Sequence, residues 1–374
     1  MYGRIASFSI LLFALQHVIR LIYSLGYHLH YYQHYPGPCY QVESIEFGSG
    51  NFFTLPDGTT FITSGLSMNI LSRSYQSHYS RNNISGAIYC MNLRTQVPVV
   101  SRLAIKVSED TSFRQDKFRP HGISVWPNYD TGIRHHVVYV VNHPPKEADR
   151  IEKFVYDPEE NLLRHVKTFT SSKLRVVYDV LAIGEDSFYA TNFLYEQQSW
   201  FTMLLELFSL MPWSNVVLYS ESGGYRTVVT GLTSATGIVM SHCGMFVYVL
   251  MCLSSEIRVY KRQEDDSLIL QQYYPLHTHP DGAVLDPVTG DLFVGAHPIL
   301  HQFLRHLDKP WQHKASSQVL HIRVTNGNIT SVTELLFDEG DLISGSSAAV
   351  VFEKKLLVGS FIDKLVICDV NVPI

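Results

Sequence analysis

Charged residues are scarce in this chain, and neither sign is clustered. Lys, Arg, Asp and Glu make up 17% of the 374 residues, and the 29 basic and 34 acidic side chains form no long run of either sign. A nucleic-acid groove needs clustered Lys and Arg, so no nucleic-acid partner is expected. Hydrophobic residues make up 46%, which is ample for a folded core and leaves little for a disordered tail.

Cysteine is also rare, and its odd count leaves at least one thiol unpaired. The five cysteines are Cys39, Cys90, Cys243, Cys252 and Cys368. The outer two lie at opposite ends of the folded region, so a disulfide between them would tie those ends together and lower the entropy of the unfolded chain. Five buried thiols are the alternative.

Long amphipathic helices are missing after residue 38. The chain instead shows short β-rich runs, such as residues 137–141, 216–219 and 245–251, separated by turn sequences that supply Gly, Asn and Asp. Regular short strands without such helices predict an all-β sandwich, barrel or propeller. Because β architectures of this length commonly form one domain, we expect residues 39–374 to fold as a unit.

The amino terminus differs from the rest of the chain. Residues 5–25 are mostly apolar, with Arg20 as their only charge, and span about the length that a bilayer requires. A cleaved signal and a buried helix are alternatives, but no convincing cleavage site follows the apolar stretch. We therefore expect an uncleaved transmembrane anchor over residues 1–30 and a linker over residues 31–38.

Two features suggest an orientation and a compartment for this anchor. Arg4 is the only early charge, and no Lys or Arg directly follows the apolar stretch, so the positive-inside rule weakly places the amino terminus in the cytosol. The glycosylation sequons at Asn83 and Asn328 agree with a secretory location. We expect a single-pass protein of the endoplasmic reticulum membrane with a lumenal main domain, with the plasma membrane as the alternative.

A second apolar segment interrupts the β-rich pattern. Residues 199–213 are apolar nearly all round, with Glu206 as their only charge. As a helix, this segment must be buried, lie at a membrane interface or contact a partner, and its lack of a polar face favours membrane or partner contact. The candidate contact residues are Trp200, Phe201, Leu204, Leu207, Phe208 and Trp213.

Residues 118–124 (FRPHGIS) and 140–144 (VVNHP) each contain a histidine. In order and spacing, these and further motifs between about Cys39 and Cys368 resemble those of the paraoxonase/arylesterase family, in which the two quoted motifs surround the active-site histidines. Further matches are residues 48–49 (GS), 55–58 (LPDG), 62–66 (ITSGL), 188–192 (FYATN), 286–292 (DPVTGDL) and 355–359 (KLLVG). The resemblance implies a six-bladed β-propeller closed by a Cys39–Cys368 disulfide, with a lipid-contacting surface helix near residues 200–213.

The resemblance also identifies calcium positions, and most of them lack a ligand here. The family supplies Glu, Asn, Asn and an Asp-Asn pair to its catalytic calcium. The counterparts in this chain are Gly50, Tyr178, Thr236 and Asp281-Gly282. Calcium takes six to eight oxygen ligands, several of them carboxylate or amide oxygens, and only Asp281 keeps its ligand. We therefore expect calcium to be weak or absent at this centre.

A second, structural calcium of the family corresponds to Asn51, Asp179 and the backbone carbonyl of Ile123. These positions keep oxygen donors, although Asn51 lacks the negative charge of the family's Asp. Calcium at this residual site is therefore the one cofactor that the resemblance leaves open.

His121 and His143 match the family's catalytic dyad, which is regarded as activating water while calcium stabilises the developing oxyanion. A base without that electrophile loses what is usually the largest catalytic contribution. We therefore expect both histidines to be inactive and to satisfy buried backbone groups instead. The alternative is that the emptied centre binds zinc or copper through His279, Asp281 and His297.

The expected function is that of a non-catalytic membrane protein. In its anchor, length and lost calcium ligands, the chain resembles membrane-anchored nematode members of the family that act as endoplasmic-reticulum chaperones for degenerin/ENaC-type sodium channels. The resemblance implies a chaperone or assembly factor whose partners are the membrane and membrane-protein clients such as channel subunits. A calcium-dependent lactonase or arylesterase is the alternative function, and a lipid-associated binding protein is a third.

Overall fold

Short antiparallel strands dominate the fold, as the β-rich runs predict. A computed structural model describes residues 2–45, 47–68, 72–108, 111–127, 135–195 and 200–374, with the side chains of residues 2–7, 10 and 200 outside that portion. The strands of the first half are β1 (Cys39–Val42), β2 (Phe52–Thr54), β3 (Thr59–Ser64), β4 (Ala87–Asn92), β5 (Ser101–Arg102), β6 (Ala104–Lys106), β7 (Pro120–Trp126), β8 (His136–Asn142), β9 (Arg150–Asp157), β10 (Leu162–Phe169), β11 (Val176–Gly184) and β12 (Ser187–Leu194).

The second half continues the same pattern, and four helices accompany the strands. The remaining strands are β13 (Ser214–Ser220), β14 (Gly224–Leu232), β15 (Ala235–Met240), β16 (Phe246–Met251), β17 (Glu256–Arg262), β18 (Leu268–Pro275), β19 (His279–Leu285), β20 (Leu292–His297), β21 (Ser317–Thr325), β22 (Asn328–Asp338), β23 (Ala348–Phe352), β24 (Lys355–Gly359) and β25 (Leu365–Asp369). The helices are α1 (Tyr2–Ser24), α2 (Arg73–Arg81), α3 (Trp200–Ser209) and α4 (Leu300–Asp308), with a 3-10 turn at Gln115–Lys117.

The strands are arranged as the six blades of a β-propeller. In order, the blades are β2-β3-β4-β5, β7-β8-β9-β10, β11-β12-β13-β14, β15-β16-β17-β18, β19-β20-β21-β22 and β23-β24-β25-β1, and β6 adds a parallel strand to the outer edge of the second. The first strand of each blade is innermost, because these strands contact one another around the ring. The predicted all-β, six-bladed architecture is confirmed.

The ring is closed by the two ends of the propeller chain. Strand β1 pairs antiparallel with β25, which places Cys39 opposite Cys368 in the sixth blade. These two cysteines form a disulfide, whereas Cys90, Cys243 and Cys252 are free. The disulfide therefore joins residues 329 positions apart in sequence, as the resemblance implies.

The core lies between the blades. Each pair of adjacent blades encloses a cluster of buried apolar residues, because residues on both faces of a blade pack against its neighbours. A seventh cluster lies under the helices, where Tyr75 of α2 and Phe303 of α4 pack with Phe361. This cluster covers the starts of the inner strands, where the candidate site is located.

The amino-terminal segment is helical, but the predicted transmembrane span is not supported. Among the residues that the structure describes, no helix is both long enough and apolar enough to cross a bilayer. Instead, α1 is held against the propeller: His279 Nε2 lies 2.9 Å from the Ser24 carbonyl oxygen, and His301 Nδ1 lies 2.9 Å from that of Leu25. The ring of Tyr27 also stacks on His301.

Candidate functional site

The candidate site is built on a feature that four inner strands share. The pairing of β7, β11, β15 and β19 with the next strand is irregular near the start of each, and these irregularities fall at residues 120–123, 177–180, 235–238 and 280–283. Such bulges re-aim side chains and are common beside functional sites. The residues within them include His121, Tyr178, Thr236 and Asp281, which explains how positions far apart in sequence meet at one end of the propeller.

One half of the site, which we call the relay half, consists of His121, His143 and Asp149. His121 Nδ1 lies 3.2 Å from His143 Nε2, and His143 Nδ1 lies 2.9 Å from Asp149 Oδ1. The other oxygen of Asp149 accepts a hydrogen bond from the Val177 amide at 2.9 Å. All three side chains are buried, so the carboxylate fixes the ring orientation of His143, and His143 in turn contacts His121.

Burial controls the protonation of His121. Desolvation, with a smaller contribution from the nearby His143, holds the pKa of His121 well below its usual range. His121 is therefore neutral near neutral pH and can accept a proton. The relay half keeps the geometry of an acid-base pair.

The other half, which we call the ion half, is occupied by protein groups. The Tyr178 hydroxyl donates a hydrogen bond to Asp281 Oδ1, and His297 Nε2 lies 2.8 Å from Asp281 Oδ2. Burial, followed by the charge of Asp281, raises the pKa of Tyr178 well above its usual range, which keeps the hydroxyl protonated. The Thr236 hydroxyl donates to the Pro280 carbonyl oxygen at 3.2 Å. The two halves meet where the Tyr178 ring packs against His121.

The ion half does not suit a calcium ion. Calcium needs several oxygen ligands whose lone pairs are not already used in hydrogen bonds. Both oxygens of Asp281, however, accept hydrogen bonds, one from Tyr178 and one from His297. A side chain at Gly282 would also place its Cβ 2.6 Å from the Ser347 carbonyl oxygen. Within the described ranges, no cluster of three or more His, Cys, Asp or Glu residues could hold a metal ion. The donor set and the local packing therefore disagree with a family-type catalytic calcium.

The residual structural site is also internally hydrogen-bonded. Asn51 Nδ2 donates to Asp179 Oδ1 at 3.3 Å, and the Asp179 carboxyl group accepts from the amides of Val180 and Ile238 at 2.9 and 3.1 Å. Burial raises the pKa of Asp179 to about 7. Asn51 thus directs its amide nitrogen to Asp179, while its amide oxygen accepts a hydrogen bond from the Phe52 amide. The backbone of Ile123 follows the same bulge of β7, and calcium at this site stays a prediction.

The alternative zinc or copper site is only partly assembled. His297 and Asp281 meet, as that alternative requires. His279, in contrast, turns both ring nitrogens to carbonyl oxygens, with Nδ1 2.9 Å from Cys252 and Nε2 2.9 Å from Ser24. Both ring nitrogens of His279 are therefore used in contacts with backbone carbonyl oxygens, one of them at the end of α1, and do not face Asp281 and His297 as metal ligands would.

The remaining predicted residues lie on the surface. In α3, Phe201 and Phe208 are strongly exposed and Leu204 is exposed to a lesser degree, whereas Leu207 packs partly into the cluster under the helices. Trp213, just beyond the helix, is also exposed, and the side chain of Trp200 lies outside the described residues. Both sequon residues are accessible to a degree: Asn83 is exposed, and Asn328 is half-buried with its amide oxygen bound by Gln271.

Asp149 and the pairing of Tyr178 with Asp281 were not identified from sequence. Asp149 lies six residues after His143 and returns beside it only because the intervening loop re-enters the blade at β9. From sequence alone, Tyr178 counts as a lost calcium ligand. Its hydroxyl is nevertheless a natural hydrogen-bond partner for the buried carboxylate of Asp281, two blades away.

Comparisons with known proteins agree with the family resemblance. Residues 34–370 match the family described as Arylesterase. Serum paraoxonase/arylesterase 1 of Homo sapiens is 34% identical over 337 residues and serum paraoxonase/arylesterase 2 of Gallus gallus is 33% identical over 332 residues, each covering 88% of both chains. Serum paraoxonase/lactonase 3 of Mus musculus is 31% identical over 334 residues, covering 89% of both.

Structural similarity supports the same architecture. A solved structure from a gluconolactonase family superposes with a TM-score of 0.50 at 11% identity, covering 90% of this chain and 93% of that chain. This likeness shows the propeller fold alone. Because the sequence match covers nearly the whole propeller at about one-third identity, the chain belongs to the arylesterase family.

Proposed function

We propose that this protein is a non-hydrolytic member of its family that assists the folding or assembly of membrane proteins. The observation that carries the proposal is the hydrogen-bonded set formed by Tyr178, Asp281 and His297 in the ion half. For hydrolysis, a histidine base needs an electrophilic group nearby that stabilises the developing oxyanion. Stabilisation of the oxyanion is usually the largest contribution to catalysis. Here the carboxylate that would hold such a group is bound by protein donors.

The apolar helix supports a contact function. In α3, Glu206 is only 2% exposed and accepts a hydrogen bond from the Tyr195 amide at 2.9 Å, whereas Phe201 and Phe208 are 63% and 60% exposed. The charge therefore points inward and the aromatic rings point outward. His17 of α1 lies 2.7 Å from the Phe208 carbonyl oxygen, so two helices with exposed apolar side chains adjoin. Such a surface fits a membrane or a membrane-protein client.

The compartment and the clients follow from other features. A disulfide between Cys39 and Cys368 is typical of an oxidising compartment, and Asn83 is exposed as a glycosylation acceptor would have to be. We therefore assign the propeller to the lumenal side of the endoplasmic reticulum membrane. Degenerin/ENaC-type channel subunits are the proposed clients because of the resemblance to membrane-anchored chaperones of this family.

Co-expression with a degenerin-type channel tests this proposal. The full-length protein is expected to raise the sodium current and the amount of channel at the cell surface several-fold. The relay variant His121→Gln should preserve that gain, because no hydrolysis is involved. The double variant Phe201→Ser/Phe208→Ser should lose most of it.

A matched control separates contact from general damage. Ile269 and Leu270 are similarly exposed apolar residues on β18, so Ile269→Ser/Leu270→Ser should behave like the parent. Loss of the current gain in His121→Gln, or an equal loss in both double variants, would contradict the proposal. Carbonate extraction and glycosidase digestion of the same cells would test membrane integration and the use of Asn83 and Asn328.

The relay half favours one second function, a calcium-dependent lactonase or arylesterase. His121, His143 and Asp149 keep an acid-base arrangement, and the family to which the chain belongs contains proteins named for those activities. This function would require calcium to bind despite the hydrogen bonds of Asp281. The arrangement alone supplies a base but no electrophile.

Calcium titration of the full-length protein distinguishes the two functions. We expect no heat of calcium binding at millimolar calcium and no metal in the protein as isolated. Tight binding of two ions per chain, together with lactone hydrolysis that a chelator abolishes and His121→Gln reduces, would establish the enzyme instead.

A further inference from the structure

A cavity of about 280 Å³ lies inside the ring of inner strands, away from the histidine pair. His121 and Asp281 lie near the starts of β7 and β19, whereas the cavity is lined by residues that follow in the same two strands and in β11 and β15, and by residues 51–56 in and around β2. Helices α3 and α4 leave the blades at the starts of the inner strands. The cavity therefore opens at the opposite end of the propeller from these helices.

The walls of this cavity are apolar. Strands β7, β11, β15 and β19 each contribute large aliphatic or thioether side chains. Trp126 lies at the end of β7, beside the opening. The wall residues that represent the four strands are Val125, Leu181, Met240 and Leu285. An apolar ligand that entered would exchange water for contacts with these side chains, which is favourable in proportion to the area buried.

The polar groups inside the cavity are bound within the protein, whereas the exposed His242 lies just beyond the end of β15 at its rim. The Asn51 amide donates to Asp179, whose carboxyl group also accepts from two backbone amides, and together these residues form the inner end of the cavity. Ser124 Oγ accepts from the Ala182 amide at 3.0 Å. A charged group inside the cavity would lose its hydration without gaining a free partner there, which is costly.

We propose that this cavity binds a small uncharged apolar molecule, such as an aliphatic alcohol or a compound with one ring system. An engineered cavity of about 150 Å³ binds benzene, so a cavity of about 280 Å³ holds a ligand of roughly twice that size. The site is separate from the relay half, because the hydrogen-bonded Asn51 and Asp179 lie between them. It is independent of whether the protein assists channel assembly.

Contact quenching of Trp126 tests the proposal. The probe is 10-bromodecan-1-ol, whose bromine quenches a tryptophan on contact, and the full-length protein is titrated with it. We expect saturable quenching of up to about a quarter of the emission, because Trp126 is one of four tryptophans. Unbrominated decan-1-ol should reverse the quenching, and decanoate should compete at least tenfold less well because of its charge.

Matched tryptophan variants locate the bound probe. The saturable quenching should disappear in Trp126→Phe and persist in Trp213→Phe and Trp311→Phe. A second variant, Ala283→Leu, adds bulk to the wall and should weaken binding about tenfold, with unchanged circular dichroism as a check on folding. Persistence of the quenching in Trp126→Phe, or its loss in Trp213→Phe, would place the probe on the apolar helices and overturn the proposal.

Vesicles of brominated phosphatidylcholine distinguish a free ligand from a membrane lipid. Because the opening faces away from α3, such vesicles should leave the emission of Trp126 unchanged, as judged from the difference between the parent and Trp126→Phe. Equal competition by decanoate, or quenching of Trp126 by the vesicles, would contradict the proposed ligand class.

Discussion

The relay half and the ion half share one end of the propeller but differ in what their buried groups bind. In the relay half, His121, His143 and Asp149 form a line of contacts, and burial lowers the pKa of His121 so that its ring is neutral near neutral pH. In the ion half, both oxygens of Asp281 are bound by Tyr178 and His297. A pair of histidines that matches a catalytic motif therefore does not establish hydrolysis, because the neighbouring half determines whether an electrophilic group can bind beside it.

The relay half also has a structural reason to persist. Asn142, next to His143, accepts from the Arg119 amide at 2.9 Å and donates to Glu152 at 2.8 Å. Glu152 is buried and lies 3.0 Å from His165 Nε2. The histidine motif is therefore part of a buried polar network whose members satisfy one another, and such networks are costly to break whatever their chemistry.

The largest expected effect is the loss of the carboxylate that organises the ion half. Asp281→Ala leaves the Tyr178 hydroxyl and His297 buried without their partner, so the free energy of unfolding should fall by about 3–5 kcal/mol. Urea denaturation followed by circular dichroism measures it, with the exposed Asp308→Ala as the control, expected within about 0.5 kcal/mol of the parent. A loss below about 1 kcal/mol would mean that the ion half is hydrated and open to a cation.

Removal of the disulfide should affect both halves alike. Cys39→Ser/Cys368→Ser removes the covalent closure of the ring, and we expect a loss of about 2–4 kcal/mol in the free energy of unfolding. Cys243 is free and exposed, so Cys243→Ser is the matched control. Hydrogen exchange should rise equally in β7 and β19. Faster exchange in one of these strands alone would show that the two halves are not coupled through the ring.

Tyr178→Phe tests the hydrogen bonding of the ion half with a smaller change. The variant removes one of two partners of Asp281 and should cost about 1–3 kcal/mol, whereas Tyr32→Phe, at a strongly exposed tyrosine, should cost almost nothing. In the Asp281→Ala background the same change should cost much less, because the two residues act as a pair. Additive losses in the two backgrounds would refute the hydrogen-bonded ion half.

The sequence predicts the fold and the closing disulfide better than the site. The family resemblance implies six blades and a Cys39–Cys368 disulfide, and the strand pairing at the end of the ring places these two cysteines opposite each other. The substitutions Gly50, Tyr178, Thr236 and Gly282 predict the loss of ligands. They do not predict what replaces the ion, because the hydrogen bonds between Tyr178, Asp281 and His297 depend on bulges in different blades.

The apolar helix shows the same limit in another form. Its composition predicts a contact surface, but not that its single charge, Glu206, is buried against the Tyr195 amide while Phe201 and Phe208 face outward. The direction of a side chain on a short helix depends on how the flanking loops dock it, and local sequence does not specify this. The anchor prediction has a related weakness, because apolar content alone cannot distinguish a spanning helix from one that packs on the propeller as α1 does.

The contributions of His121, in the relay half, and of Asp179, beside the ion half, to the free energy of unfolding should change with pH in opposite directions. The pKa of His121 is lowered in the folded state, so its contribution to stability is present above the unfolded value of about 6.5 and is lost as the pH falls. The pKa of Asp179, beside the ion half, is raised to about 7 by burial. Its contribution is therefore present below the unfolded value of about 3.9 and is lost as the pH rises through about 7.

Single variants should separate the two opposing contributions to the pH dependence of the free energy of unfolding. In the parent they partly cancel, so we expect the free energy of unfolding to differ by less than about 1 kcal/mol between pH 5 and pH 8. His121→Gln should shift the balance toward greater stability at pH 5, and Asp179→Asn toward greater stability at pH 8, while the exposed His277→Gln should follow the parent. Urea denaturation at the two pH values measures the balance. Shifts of the same sign in both variants would mean that burial does not set the protonation of His121 and Asp179 separately.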